Sequence, residues 1–367
     1  MSMTGINGLP MNFAASGFGT LGRLVADNAA TRVRLDRLSA QASTGLIADN
    51  YAGLGVGAAV SLALQPALAR QAAWKANIAA AAGPMAATQT ALSQINAIAA
   101  DFYARTNTLN GLDSHAIDSV AASARNALQQ VAGLLNTRFG DAYVFAGKDS
   151  RTPPIADPSA IGGSGFVTAI NAAVLSLDSI GADAVAASTL ATAASDTPPD
   201  TPFSPYLSQP AGLLAGERPA VEAGDGRIVP TGVLASANGD ATSGGPSTTG
   251  SYSRDVLRAL ATLGSLSSAQ FNSPGLSALV ADTRTSLREA ISAMAQDAGM
   301  LGERQKALVD AQSRADETSV ALKAQLAGAE QVDMASTLSQ LTQVQTQLQA
   351  SYQLIAAVQG MSLAKYL

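Results

Sequence analysis

The sequence contains no cysteine and a single histidine among its 367 residues. Without cysteine the chain forms no disulfide bond and offers no thiolate nucleophile, and one histidine leaves no ligand set for a zinc site. No loop carries the regularly spaced carboxylates of a calcium site. We therefore expect neither a metal ion nor another cofactor.

Aromatic residues make up only 4% of the chain, although 47% of its residues are hydrophobic. Most of that apolar content is alanine and leucine, which favours helices that approach one another closely. The formal net charge is -5, and no cluster of lysine and arginine is interleaved with aromatic residues. This composition argues against binding to nucleic acid.

Long uninterrupted apolar runs are also missing. The alanine-rich stretch 72–100 is broken by polar residues before the roughly 18 apolar residues of a membrane span accumulate. The first 22 residues lack both the basic start and the continuous apolar core of a cleavable secretory signal. We expect no membrane contact and no ordinary signal peptide.

Both ends of the chain carry heptad patterns. Near the N-terminus, leucines share two heptad positions with Asn28, Thr31 and Ala42, and near the C-terminus apolar residues recur every seven residues with others beside them. Such stripes are too wide for a helix that packs alone, so they predict coiled-coil-like helices that bind other subunits. The residues predicted to form this subunit interface are Leu21, Leu24, Leu35, Leu38, Met334, Leu338, Leu341, Val344, Leu348, Tyr352, Ile355 and Val358.

Proline marks a different middle segment. Eleven of the 15 prolines lie between Pro153 and Pro246, and the segment 152–253 carries nine acidic residues against two arginines. Clusters of glycine, serine, threonine and proline separate short apolar runs there, which predicts short strands and loops with one helix near 167–177. The middle therefore looks like a separate acidic insert.

Helical periodicity returns on both sides of this insert, within 86–108, 114–139 and 277–325. The predicted fold is mainly α: an elongated rod of long antiparallel helices from both chain ends, with a β/loop-rich central insert. The predicted layers are a terminal helical core (1–45 and 325–367), a helical middle layer (46–151 and 254–324) and an exposed acidic insert (152–253).

Three groups of residues carry a family resemblance. Residues 34–45 end a helix in Leu-Ser-Ala-Gln-Ala-Ser-Thr-Gly, and Asp-Asn-Tyr-Ala-Gly-Leu follows at 49–54. Residues 135–155 contain Asn-Thr-Arg, then Tyr-Val-Phe-Ala-Gly and Thr-Pro-Pro-Ile. Residues 302–341 contain Gly-Glu-Arg-Gln and Glu-Gln-Val-Asp-Met-Ala, and the chain ends in Ser-Leu-Ala-Lys-Tyr-Leu at 362–367. Together these segments resemble the bacterial flagellin and hook-associated family, and the second and last are closest to its hook–filament junction proteins.

The resemblance implies a structural, non-enzymatic subunit of the flagellum that joins hook to filament, with a bulk filament flagellin as the alternative. It implies that the terminal helices form the inner core of a tubular polymer and that the insert forms its outer surface. The implied partners are other copies of the chain, a neighbouring hook-associated protein, flagellin, and an export chaperone that binds the C-terminal helix. The implied location is the extracellular flagellum, reached by type III export without a cleaved signal peptide.

Two patterns point elsewhere but lack the required context. Gly17, Gly19 and Gly22 match a dinucleotide fingerprint, yet no alternation of strand and helix follows them. Asp113, Ser114 and His115 suggest a catalytic triad, but Asp113 and Ser114 are better read as the N-cap and first turn of a helix. Outside the family, the alternatives are a secreted adhesin or coiled-coil effector, and, least favoured, an enzyme.

Overall fold

A computed structural model of the chain describes residues 15–109 and 114–363, without the side chains of residues 15–21, 108, 211 and 358–363. It is 71% helical, which confirms the predicted mainly α fold with long helices from both ends of the chain. The long α-helices are α1 (Ala15–Thr44), α3 (Gly57–Thr108), α4 (Ser114–Leu135), α10 (Leu276–Glu330) and α11 (Met334–Leu363). The shorter ones are α2 (Tyr51–Leu54), α5 (Gly165–Leu175), α6 (Leu177–Ile180), α7 (Ala182–Ala194), α8 (Ala211–Leu214) and α9 (Tyr252–Gly264).

The described strands form two small antiparallel hairpins. They are β1 (Arg138–Phe139) with β2 (Ala142–Tyr143), and β3 (Ala220–Glu222) with β4 (Ile228–Pro230). In the second hairpin Val221 pairs with Val229. Single turns of 3₁₀-helix lie at Ile161–Gly163, Ala215–Glu217 and Ser268–Gln270.

The chain divides into two compact units. The first comprises residues 1–70 and 318–367, and the second comprises residues 71–317. In the first unit, α1 and α11 pack side by side as an antiparallel pair. Each unit therefore contains its own tertiary contacts.

The core of the second unit is built around α9. Every residue of this helix is buried, which requires neighbours on all sides. Those neighbours include α4, α5 and α7. Apolar side chains of segment 152–253 belong to the same hydrophobic cluster as those of α4 and α9; they include Phe166, Ile170, Val185, Phe203 and Leu234.

The second hairpin packs on the long helices. Val229 and Ala223 form a smaller cluster with Met85 of α3 and with Leu301 and Leu308 of α10. Within this unit Asn96 of α3 also donates a hydrogen bond to the carbonyl oxygen of Ile291 in α10, over 3.0 Å. The hairpin is thus attached to a helical surface by apolar contact.

Segment 152–253 contains more helix than its composition predicts. The predicted helix near 167–177 is present as α5, and β4 falls within one of the short apolar runs. Helices α6 and α7 follow, and α7 is rich in alanine without a clear apolar period. Its helical propensity is high, but its buried face of Val185, Thr189 and Ala193 is hardly more apolar than the alanines of its other faces, so the sequence carries no clear period.

Residues 135–155, which include β1 and β2, fold as one closed loop. Asn136 binds Ile155 twice: its amide donates to the carbonyl oxygen over 2.6 Å, and its Oδ1 accepts the backbone N–H over 2.9 Å. Phe145 is fully buried. Gly147 has a φ of +68°, and a Cβ there would lie 2.8 Å from the carbonyl oxygen of Glu217, so glycine is required on both counts.

Candidate assembly surface

Helices α1 and α11 bury facing stripes with the spacing of a coiled coil. Positions three and four residues apart alternate along each helix, so that each stripe stays on one side over several turns. The stripe of α1 consists of Leu24, Asn28, Thr31, Leu35, Leu38 and Ala42. The stripe of α11 consists of Thr337, Leu341, Val344, Leu348, Ser351 and Ile355. Leu38 and Val344 are the most buried apolar residues of the pair.

The predicted interface residues divide into two groups. Those that lie on the facing stripes, buried or half-buried within the chain itself, are Leu24, Leu35, Leu38, Leu341, Val344, Leu348 and Ile355. Met334, Leu338 and Tyr352 remain 41%, 49% and 40% exposed. The side chains of Leu21 and Val358 lie outside the described residues. The pair therefore uses much of the predicted surface internally and leaves part of it open.

Further apolar side chains on the pair are exposed although the sequence did not single them out. They are Val25 and Val33 of α1 and Leu354 of α11. Val25 follows Leu24 and lies beside the stripe, on the heptad position that Leu338 and Tyr352 occupy in α11. In antiparallel pairs these positions lie along one flank, so Val25, Leu338 and Tyr352 share one flank of the pair.

On this flank, Arg32 of α1 contacts Tyr352 of α11. The Arg32 Nε donates a 2.6 Å hydrogen bond to the Tyr352 hydroxyl, and the guanidinium carbon lies 5.4 Å from the ring centroid. The residues are 320 positions apart in the chain, so the contact depends on the register of the two helices. An exposed cation–π contact of this kind contributes about 0.5–1 kcal/mol.

Asn28 is a buried polar residue within the apolar stripe. It is 8% exposed, and its Oδ1 has no hydrogen-bond partner among the residues that the structure describes. A buried acceptor without a partner costs about 1–3 kcal/mol. The pair is therefore less stable than its apolar stripe alone would make it.

The turn after α1 fixes the end of the pair. Gly45 leaves the helix with a φ of +73°, as glycine permits, and its carbonyl oxygen accepts the N–H of Val332 over 3.0 Å. The N–H of Ile47 donates to the carbonyl oxygen of Glu330 over 2.7 Å. These bonds join the turn between α10 and α11 to the residues that follow α1.

The same turn is tied to the start of α3. The Ser61 hydroxyl donates a hydrogen bond to the Glu330 carboxylate, and a Cβ at Gly57 would lie 2.7 Å from the carbonyl oxygen of Ala329. Asn50 caps α2 by accepting the N–H of Gly53 over 2.9 Å. Close approach at Gly57 and capping at Asn50 give this turn a defined conformation.

The two patterns that suggested other functions lie in helices. Residues 17–22 fall within α1 rather than between a strand and a helix, which removes the geometry of a dinucleotide site. His115 is exposed in the first turn of α4, and Asp113 lies outside the described residues. Within 15–109 and 114–363, none of the helices is long and apolar enough to cross a membrane.

Two family matches cover more than half of the chain. Residues 25–150 match the bacterial flagellin N-terminal helical region, and residues 285–367 match the bacterial flagellin C-terminal helical region. The two matches include α11 and most of α1. No curated protein shows significant sequence similarity to the chain.

Proposed function

Because the chain belongs to the bacterial flagellin family, we propose that it joins the hook of the flagellum to the filament. Flagellins are structural proteins that polymerise with copies of themselves into the extracellular filament used for motility. The chain is accordingly a structural subunit of the flagellum, and the finer assignment to the junction is our proposal.

The segment 135–155 carries the proposal. Its Tyr-Val-Phe-Ala-Gly and Thr-Pro-Pro-Ile sequences resemble those of junction proteins more than those of filament flagellins. Support comes from their role in a closed loop, in which Asn136 holds Ile155 and Phe145 is buried. The resemblance therefore rests on residues that hold one loop together, and not on similar amino-acid composition alone.

In the proposed assembly the chain has three layers: 1–45 with 325–367 innermost, 46–151 with 254–324 next, and 152–253 outermost. The subunit contacts use the predicted interface residues, and the exposed Leu338 and Tyr352 are available to a neighbouring copy without rearrangement. Further proposed partners are a hook-associated protein on one side, flagellin on the other, and an export chaperone for the C-terminal helix. Export by the flagellar type III apparatus without a cleaved signal completes the proposal.

A bulk filament subunit is the second candidate. The observation that favours it is that both matched families are described as flagellin regions. Both candidates use the same terminal helices, so they differ in location rather than in chemistry.

Deletion of the gene separates the candidates. A junction subunit should leave cells with complete hooks, no filament, and flagellin released into the medium. A bulk filament subunit should leave hooks without flagellin in the medium, because the released protein would be the deleted chain itself. Restoring the wild-type gene should restore the filament in either case and excludes an indirect effect of the deletion.

A further inference from the structure

A polar cavity lies at the N-terminal end of α9, within the unit 71–317. Its volume is about 360 Å³, and its lining includes Ser251, Arg254, Arg218 and Asp196. The volume exceeds that of one bound water and falls in the range of small-molecule sites. None of the residues that line it belongs to α1 or α11, so the site does not depend on the surface assigned to assembly.

The first turn of α9 leaves donors without acceptors. The N–H of Tyr252 donates to Asn238 Oδ1 over 2.9 Å. The backbone N–H groups of Ser253 and Arg254 have no acceptor among the residues that the structure describes, although both residues are buried. Buried N–H groups without partners are rare and call for an acceptor from elsewhere.

Ser251 adds an unused hydroxyl at the same place. It is the N-cap residue of α9, but its side chain makes no capping bond. It is 5% exposed, and its Oγ has no partner in the described parts of the chain. A serine at this position normally accepts a helix N–H. Because Ser251 does not, its hydroxyl is free to donate to a ligand.

The two arginines that line the cavity differ in how many of their N–H groups have hydrogen-bond partners. Arg254 donates to the carbonyl oxygens of Ala193 and Ser195 over 3.1 and 3.0 Å and to the Asp196 carboxylate over 2.5 Å. The carboxylate of Asp196, which also lines the cavity, is therefore already paired with Arg254. Arg218 donates one hydrogen bond, to Asp240 over 3.3 Å, and its other N–H groups have no partner among the described residues.

Asp240 is itself shared between two cations. It also pairs with Arg304, so one carboxylate faces two guanidinium groups. Burial first, and then the nearby charge of Arg218, lower the pKa of Arg304, because both disfavour its charged form.

We propose that this cavity binds the oxyanion group of a small molecule, namely a phosphate, a sulfate or a carboxylate. The N-terminus of α9 and Arg218 supply the favourable charge, and the Ser251 hydroxyl supplies a neutral donor. The cavity is larger than a bare ion requires, so the oxyanion belongs to a ligand with a further polar part.

Calorimetric titration of the full chain tests this site. Sodium sulfate, sodium phosphate and sodium acetate are titrated separately at constant ionic strength, into wild type, Arg218→Gln, Ser251→Ala and Arg227→Gln. Arg227 is the matched control, since it is an exposed arginine of the same acidic segment that does not line the cavity. At least one anion should bind saturably to wild type and to Arg227→Gln, and about tenfold or more weakly to Arg218→Gln.

The fold can be checked separately. Ser251→Ala removes a hydroxyl that makes no hydrogen bond, so its circular dichroism should equal that of wild type while its affinity for the anion falls. The anion that binds identifies the class of ligand. The proposal is overturned if none of the three binds in the millimolar range, or if Arg218→Gln and Ser251→Ala both bind as tightly as wild type.

Discussion

At the residue scale, two buried polar groups determine how the helices are held. Asn28 lies in the stripe between α1 and α11 with an unpaired Oδ1, and Arg254 of α9 has nearly all of its donors engaged. The first weakens the contact in which it lies, whereas the second ties two separate parts of the chain, the end of α7 at residues 193–196 and Ser236, to α9.

Replacing Asn28 with leucine should stabilise the pair of α1 and α11. The change removes an unsatisfied acceptor and adds apolar surface, a gain of about 1 kcal/mol. The amides along both stripes should then exchange with solvent about fivefold more slowly in hydrogen-exchange mass spectrometry.

Thr31→Val is the matched control, because the Thr31 hydroxyl already donates to the carbonyl oxygen of Asp27 over 2.7 Å. Its effect on exchange should be smaller than that of Asn28→Leu. Faster exchange in Asn28→Leu would mean that Asn28 has a partner that stabilises the pair.

Tyr206 should ionise late. Burial first, and then its hydrogen bond to the Glu217 carboxylate, raise the pKa of Tyr206 to about 12. Since the folded pKa lies above the ordinary value of 10.0, the contribution of this group to stability is present below pH 10 and is lost as the pH rises towards 12.

Glu217→Gln should lower the pH at which Tyr206 ionises, measured by tyrosinate absorbance. Glu222→Gln is the control, because it removes the same charge at an exposed position on β3. Equal titration curves for the two variants would contradict the assigned role of Glu217.

At the scale of elements, the sequence predicts the pair of terminal helices well. Leu38 and Val344 lie where the heptad pattern puts them, because burial on one side of a helix leaves a period in the sequence. The contact between Arg32 and Tyr352 was not predictable, since it depends on the register between helices 320 residues apart. Leu338 and Tyr352 were predicted as interface residues and remain exposed in the single chain; their role between subunits stays a prediction.

Leu348→Asp should open the pair without unfolding the second unit. Placing a carboxylate on the facing stripe costs several kcal/mol, because the stripe offers it no partner. Exchange should accelerate in α1 and α11, while α9 and its neighbours keep their protection. Leu354→Asp introduces the same charge at a position that is exposed in the chain and should leave exchange close to wild type. Equal acceleration in both variants would mean that the stripe is not what holds the pair.

At the scale of the whole molecule, proline density and acidity suggested that 152–253 is an insert. Composition did not predict that its apolar residues share a core with α4 and α9, because neither charge nor proline content reports burial. It also did not predict that α9 is buried along its whole length, including Arg254, Asp255 and Arg258. Charged residues such as these ordinarily lie at the protein surface.

Deleting residues 158–245 should therefore destabilise the unit 71–317. The deletion removes Ala193, Ser195, Asp196 and Ser236, which are the partners of the buried Arg254, and an unpaired buried charge costs several kcal/mol. Thermal unfolding followed by circular dichroism should lose its cooperative transition. Deleting only the exposed residues 244–246 should preserve it. A cooperative transition in the larger deletion would show that the helices of this unit do not need the segment.

The position of this flagellin-family subunit on the flagellum decides whether it lies at the junction of hook and filament. Antibody raised against segment 152–253 and carrying gold should be applied to intact flagella and viewed by electron microscopy, with the deletion strain as the control for specificity. A junction subunit should give one ring-like spot of label at the outer end of each hook. Label along the whole filament would contradict it and make the chain the bulk filament subunit.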